Sequence, residues 1–328
     1  MKTNCLRVHK IEKVTETRLE QVDVAEIGSG EVLIKVEYSS LNYKDALAVT
    51  GQSPIVRKFP LVAGIDLAGE VVESTDAEFK PGDKVLANGS GLGEELDGGY
   101  SEYARLPAAL TIHLPESLST KDAMTLGTAG FTAALALYRM EVNGQNPALG
   151  PIVVTGASGG VGSFAVNILS QKGYQVIAVS GREEQHQRLF DLGASEVVTA
   201  EQLALSNSPL QAVKYGGAID NIGGELLAQL IASTHLWGNV ASIGLAAGSD
   251  LNTAVFPFIL RGVSLLGVSS ANCPMELRRA LWERLGDDLK PGKIEQIVTN
   301  EISLSEVVPT ASQLLARACY GRTVVKIG

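Results

Sequence analysis

The sequence predicts an α/β protein of two domains, a mostly β, barrel-like domain first and a doubly wound parallel sheet second. Three observations predict it. Residues 151–162 read Pro-Ile-Val-Val-Thr-Gly-Ala-Ser-Gly-Gly-Val-Gly and run straight into the apolar-periodic stretch 163–172, which is a strand, a glycine turn and a helix. Downstream, short apolar runs alternate with helically spaced ones, the order that builds a parallel sheet covered on both faces. Upstream, from Cys5 to about Arg105, the pattern is short alternating runs punctuated by glycine and proline.

Within that first region, residues 31–39 place Val32, Ile34 and Val36 on one face. The runs 67–73 and 84–87 flank Phe79-Lys80-Pro81-Gly82-Asp83, where proline and glycine supply turn chemistry between antiparallel strands. Helical spacing takes over at 119–126 and 130–140, and Asn143-Gly144-Gln145-Asn146-Pro147 ends it. The domain boundary is therefore expected near Ala123, with residues 1–123 and 296–328 forming the first domain and 124–295 the second. From Pro151 onward strands are expected at 175–179, 196–198, 218–221, 239–243 and 264–268, and helices at 184–192 and 226–233. A charged helix at 276–285, a helix starting near Ser305 and a last strand at 323–327 complete the chain. The tail is expected to rejoin the first domain, and no internal repeat is visible.

The length of 328 residues, with 45% hydrophobic and 19% charged content, suits two globular domains. A net charge of −9 without any basic run argues against nucleic acid as a partner. The first ten residues lack an apolar leader core and no stretch of about 18 apolar residues occurs, so a cytoplasmic protein with no membrane partner is expected. Cys5, Cys273 and Cys319 are far apart and none has a Cys-x-x-Cys partner, which points to buried free thiols.

The glycine turn carries the first chemistry. Gly156, Gly159, Gly160 and Gly162 allow a tight turn and close approach of a ligand. The unpaired N–H groups of the following helix and its positive dipole end then seat a pyrophosphate, with Ser158, Gly159, Gly160 and Val161 as the candidate contacts. Dinucleotide folds selective for NAD close the second strand with an acidic residue, but here it ends Val179-Ser180-Gly181-Arg182. Ser180, Gly181 and Arg182 would favour the 2′-phosphate of NADPH, the alternative being a solvated arginine that opens a helix. Asn221, Leu245 and Ser269 follow later strands and are candidates to reach the nicotinamide. The turn also fits the Thr-Gly-x-x-x-Gly-x-Gly pattern of short-chain dehydrogenases, yet no tyrosine here has the lysine four residues on that their catalysis needs.

With the β domain first, the glycine turn near residue 156 and the closing Gly321-Arg322-Thr323-Val324-Val325-Lys326, the whole chain resembles the medium-chain dehydrogenase/reductase superfamily. Leu41-Asn42-Tyr43-Lys44-Asp45, Pro60-Leu61-Val62-Ala63-Gly64-Ile65-Asp66, Ser180-Gly181-Arg182 and Pro257-Phe258-Ile259-Leu260-Arg261 resemble its YhdH/YhfP quinone-oxidoreductase subgroup, which includes acryloyl-CoA reductase. The resemblance implies a GroES-like β-barrel domain plus a Rossmann domain. Zinc alcohol dehydrogenases of the superfamily carry a cysteine ligand near the position of Asn42 and Gly-His-Glu where Gly64-Ile65-Asp66 stands. Residues 88–99 likewise lack the four cysteines of their structural zinc site. No metal is expected.

The implied chemistry is zinc-independent, NADPH-dependent reduction of a conjugated carbonyl, most specifically acryloyl-CoA to propanoyl-CoA. Hydride addition to the β-carbon drives charge onto the carbonyl oxygen, so the site needs oxyanion donors and a proton source. Asn42 is a candidate oxyanion donor and Tyr43 the first candidate proton donor, with packing of its ring on the nicotinamide as an equal alternative. Asp45 is a candidate catalytic carboxylate or simply the cap of the next helical turn, with Lys44 in solvent. Arg322 is a candidate contact for cofactor or substrate, or a lone surface arginine. Arg57, Lys58 and Arg139 are available cations for CoA phosphates, and none of the four histidines is assigned a role. In the run Gly127-Thr128-Ala129-Gly130 the glycines are read as packing residues. Two other readings stay open, an NADPH:quinone reductase and an NADPH-binding redox-responsive or structural module with little turnover. The apolar run 264–268 reads as an edge strand, and the family's habit of pairing it across a two-fold implies a homodimer.

Overall fold

The structure, a computed structural model, describes residues 1–328. The chain divides into two compact units, Met1–Thr128 with Ser270–Asp288 and Ile297–Gly328, and Ala129–Ser269 with Leu289–Gln296.

The first unit is built on two sheets. Lys2–Ile11 and Val14–Asp23 form an antiparallel hairpin in unbroken register from Lys2↔Asp23 to Ile11↔Val14, and Leu61–Val62 joins its other edge. Glu12 and Lys13 turn that hairpin with φ of 47° and 77°, the two positive values of a type I′ turn. The second sheet runs in the order Val298–Ile302, Arg322–Lys326, Val32–Leu41, Asp66–Ser74, Lys84–Asn88, Ile112–His113, with Tyr103–Leu106 also paired to Val32–Leu41. The alternation read at 31–39 is real: Val32, Ile34 and Val36 enter one core with Leu67, Val71, Phe79 and Val85. The chain end returns to this sheet, where Thr323–Lys326 pairs antiparallel with Tyr38–Leu41.

The helix Met275–Gly286 also belongs to the first unit, whereas strand and helix alternation had grouped it with the parallel sheet. Its buried face explains the difference. Trp282 Nε1 donates to Asn88 Oδ1 at 2.9 Å and Arg278 Nη1 donates to Asn88 O at 2.7 Å, so two buried polar side chains of the helix meet a β-domain strand. Periodicity records that a helix has a buried face, not which sheet receives it.

The second unit is a six-stranded, wholly parallel sheet in the order Glu196–Val198, Val176–Val179, Ile152–Val154, Tyr215–Asp220, Thr234–Ser242, Ser264–Gly267. Numbered by sequence this is 3-2-1-4-5-6, the doubly wound arrangement whose order reverses beside the first strand. Ile152, Val153 and Val154 are all fully buried, as a central strand covered on both faces requires. The two helical runs expected at 119–140 form one helix, Thr120–Val142, interrupted at Gly127 with φ 46° and ψ −152°. No helix is long and apolar enough to cross a membrane.

Candidate active site

In the first unit, Asn42 ends the strand Val32–Leu41 and caps the helix Tyr43–Thr50. Asp45, the third residue of that helix, reaches back to cap it: its Oδ2 accepts the Asn42 N–H at 2.9 Å, while its Oδ1 accepts the Ile65 N–H at 2.9 Å. The capping role anticipated for Asp45 is therefore its geometry, in a side chain only 1% exposed. Asn42 Nδ2 donates to Asp45 Oδ2, Asp66 Oδ2 and Ser40 Oγ, and Asn42 Oδ1 accepts from Arg322 Nη1 at 3.0 Å. Both amide hydrogens of Asn42 are thus committed inside the chain, which removes it as a donor to a substrate oxygen.

Asp66 is the hub of this cluster. Its carboxylate accepts from Ser40 Oγ, Asn42 Nδ2, Thr128 N–H and Thr128 Oγ1, the last at 2.6 Å. Four donors around one buried carboxylate occupy its lone pairs and fix its position. Arg322 closes the cluster. It is buried, not a surface residue, and its Nε and Nη1 donate to Thr125 O and Leu41 O besides Asn42 Oδ1. It stands in the first unit, while the glycine turn stands in the second. Burial, and after it the neighbouring charge of Asp66, pushes the Asp45 carboxyl up to about 7. Burial also raises Tyr100, whose hydroxyl donates to Ser40 O, and lowers Arg322. The sequence reading missed Ser40, Asp66, Tyr100 and Thr128 as one cluster because they come from four separate elements.

Gly127 is shaped by this cluster. A Cβ there would lie 2.6 Å from Asp66 Oδ2 and 2.8 Å from both Ser40 Oγ and Arg322 Nη2. Next to the buried Asn42 and Asp45, Tyr43 is 55% exposed. Lys44 is not free in solvent: its Nζ pairs with Glu94 Oε1 at 2.8 Å.

In the second unit, the turn after Ile152–Val154 leads into the helix Gly160–Gln171, with Gly159 as its N-cap. Gly162 lies so close beneath the turn that a Cβ would meet Gly156 O at 2.4 Å. Ala157 N–H donates to Val179 O at 3.1 Å and Thr155 N–H to Ile219 O at 3.1 Å, which seats the turn between the ends of the second and fourth strands. Ser158, Gly159, Gly160 and Val161 thereby stand at one helix N-terminus, where the first N–H groups have no intrahelical acceptor.

The end of the second strand brings Ser180, Gly181 and Arg182 into one turn. Ser180 Oγ accepts the Arg182 N–H at 3.2 Å, and His186 Nε2 lies 3.1 Å from Ser180 O. His186 is therefore half-buried against this turn and not on a solvated helix face. No protein atom comes within 4 Å of a Cβ built on Gly181, so the space beside it is open. Asn221 follows the fourth strand, and Leu245, 66% exposed, follows the fifth. Ser269 follows the edge strand Ser264–Gly267. The residues present fit a dinucleotide: a helix N-terminus for the pyrophosphate, open space and an arginine for the adenosine side, and an unpartnered buried acceptor, Asn221 Oδ1, on the far side of the turn.

The cations considered for CoA divide between the units. Arg57 and Lys58 lie in the first, and Arg139 lies in the second with its Nη1 donating to Gly267 O. Cys5 and Cys273 are buried thiols as expected, but Cys319 is only partly buried.

Comparison with known proteins follows the same division. Residues 28–116 match the alcohol dehydrogenase GroES-like domain and residues 160–286 match the zinc-binding dehydrogenase family. The chain is 46% identical over 313 residues to the probable acrylyl-CoA reductase AcuI of Escherichia coli, covering 95% of this chain and 96% of the relative. It is 44% identical over 323 residues to the putative quinone oxidoreductase YhfP of Bacillus subtilis, covering 98% of each. The crystal structure of the yhdH oxidoreductase from Salmonella enterica in complex with NADP is 43% identical and superimposes with a TM-score of 0.95 over 100% of both chains. Fold, motifs and full-length identity agree, and the chain belongs to the medium-chain dehydrogenase/reductase superfamily, in its YhdH/YhfP group.

Proposed function

We propose that this chain is a zinc-independent, NADPH-dependent reductase of conjugated carbonyl compounds, and most specifically that it converts acryloyl-CoA to propanoyl-CoA. The observation that carries the substrate is the 46% identity, across 95% of the chain, with a relative named an acrylyl-CoA reductase. Ser180 and Arg182 at the end of the second strand, with no carboxylate between them, support NADPH over NADH. Asn42 and Ile65 stand where zinc-dependent members carry ligands, and an amide and an aliphatic chain offer a zinc ion nothing comparable to thiolate and imidazole.

Bound NADPH supplies the hydride that adds to the β-carbon of the thioester. The chain must then deliver a proton to the α-carbon and shelter the developing enolate oxygen. Tyr43 is the proton donor in this reading, because it is exposed while its neighbours Asn42 and Asp45 are buried and committed to hydrogen bonds inside the chain. The capping bonds fix the backbone on both sides of Tyr43. With Asn42 committed inward, the enolate oxygen is left to backbone N–H groups.

A second reading, an NADPH:quinone reductase, is favoured by the 44% identity with the relative named a putative quinone oxidoreductase. The deciding experiment follows NADPH oxidation by the purified full chain with acryloyl-CoA and with benzoquinone side by side, as kcat/KM. Preference for acryloyl-CoA supports the first reading, preference for quinone the second, and no turnover with either leaves an NADPH-binding module.

We further propose a cytoplasmic homodimer. Ser264–Gly267 is the edge strand of the parallel sheet, and Trp237, Val255, Ile259 and Leu260 on the same unit are each at least 60% exposed. Light scattering of the purified chain decides it, and a monomer mass at micromolar concentration rejects the dimer.

A further inference from the structure

A row of exposed cations lies in the first unit beside the helix that begins at Tyr43. The segment after that helix sorts its residues by character. Ile55, Val56, Phe59 and Leu61 pack into the core that also takes Ala46 and Val49 of the helix, while Arg57 and Lys58 between them are exposed. Burial of the apolar four thus leaves the two cations in solvent. Lys10, exposed on the strand Lys2–Ile11, joins them: its Nζ stands over the Phe59 ring, 5.6 Å from the centroid.

The row is tied at both ends to the helix Tyr43–Thr50. At one end, Arg57 N–H donates to Glu94 O at 2.9 Å, and Glu94 Oε1 accepts at 2.8 Å from Nζ of Lys44, the residue after Tyr43. At the other, Thr15 is the cross-strand partner of Lys10 and meets the far end of the helix, where a Cβ on Gly51 would lie 2.5 Å from Thr15 Cβ. The helix has eight residues, so its ends are about 12 Å apart. Lys44 is matched by Glu94, but Arg57 meets Glu95 only at 3.8 Å, with the two side chains 69% and 64% exposed. Such a pair contributes little and yields to a stronger anion. Lys10 and Lys58 add two more exposed positive charges on a chain whose net charge is −9.

We infer that Arg57, Lys58 and Lys10 bind the phosphates of a coenzyme A thioester, with its pantetheine arm directed back along the helix to Tyr43. This deepens the acryloyl-CoA reading proposed above and rests on it. Length and charge both fit. Between the thioester sulfur and the diphosphate the arm has about thirteen bonds, equal to about four extended residues or roughly 15 Å, which is the scale of the helix. The planar guanidinium of Arg57 can take two phosphate oxygens at once, and the lysines serve as point charges for the others. A quinone carries no such anion, so this row gives it no hold. Arg139 is not part of the row: it belongs to the second unit and donates to Gly267 O.

The test measures kcat and KM of the purified full chain, at saturating NADPH, with acryloyl-CoA and with acryloyl-pantetheine, which keeps the reacting group and the arm but has no phosphate. The parent is compared with the double variant Arg57→Ala, Lys58→Ala and with Lys10→Ala. The parent is expected to favour acryloyl-CoA through KM. The double variant is expected to raise KM for acryloyl-CoA about tenfold and Lys10→Ala about threefold, with kcat and the acryloyl-pantetheine kinetics of the parent kept. Turnover of acryloyl-pantetheine also reports an intact fold. A parent with the same KM for both thioesters, or a double variant whose KM for acryloyl-CoA stays within twofold, overturns the inference and leaves the reductase reading in place. Equal losses on both thioesters overturn it too, because the residues then support the fold and not the phosphates. A parent that reduces neither thioester overturns the acryloyl-CoA reading and the inference with it.

Discussion

Asp45 and Asp66 face one amide: Asn42 Nδ2 lies 3.0 Å from Oδ2 of Asp45 and 2.8 Å from Oδ2 of Asp66. Both carboxyl groups are buried, and burial first, with the neighbouring Asp66 second, raises the Asp45 carboxyl. Its folded pKa of about 7 exceeds the ordinary 3.8, so the folded chain binds this proton more tightly than the unfolded one. The resulting stabilisation is complete below about pH 4 and is lost as pH rises to about 7. Between pH 5 and pH 8 the loss amounts to about 2–3 kcal/mol. Asp45→Asn removes this titration but leaves one of three donors without an acceptor. Urea unfolding at both pH values should show the variant well below the parent at pH 5 and closer to it at pH 8. An identical gap at the two pH values would place the proton elsewhere.

Gly127→Ala tests whether the cluster tolerates any side chain above it. The φ of 46° and ψ of −152° lie outside the regions open to L residues, and the added Cβ would meet Asp66 Oδ2 at 2.6 Å. Backbone strain alone costs about 1–3 kcal/mol, and displacing the carboxylate from its donors adds to it. A variant unfolding within about 0.5 kcal/mol of the parent would mean that the helix break relaxes freely.

Tyr43→Phe separates proton transfer from ring packing. Loss of the hydroxyl should lower kcat for acryloyl-CoA about 100-fold, the lower end of general-acid contributions, with NADPH affinity unchanged. An undiminished rate would remove Tyr43 from proton transfer and keep only a packing role for its ring.

Arg182→Ala addresses cofactor choice. A charge-assisted bond to the 2′-phosphate contributes about 1.5–3 kcal/mol, so NADPH binding should weaken roughly 10- to 100-fold while NADH binding stays as it was. An equal effect on both cofactors would show that the arginine supports the turn and does not read the phosphate. His186, against the Ser180 carbonyl, is the natural second position to vary.

Much of the fold was legible because short-range rules govern it. Val32, Ile34 and Val36 alternate, Ile152 to Val154 form an unbroken apolar run, and the glycines of the turn are spaced for strand, turn and helix. The hairpin turn at Glu12 and Lys13 was not legible, because neither residue type advertises a positive φ and the ten-pair ladder on either side imposes it. The candidate site divides in the same way. The cofactor turn is contiguous in sequence and could be read, whereas Asn42, Asp66, Thr128 and Arg322 are polar residues scattered over 281 positions, and nothing local announces that they share protons.

The sequence by itself determined the succession of a β domain and a doubly wound sheet, the pyrophosphate turn, the absence of a carboxylate after Val179 and the family. These depend on residue type and spacing along the chain. Only the tertiary structure decided that Asn42 faces inward, that Arg322 is buried among Leu41, Asn42 and Thr125, that the Met275–Gly286 helix serves the first unit, and that Asn221 keeps one acceptor unpaired. The physical reason is that a hydrogen bond is satisfied by whatever group folding brings within about 3 Å, and that distance is independent of separation in sequence.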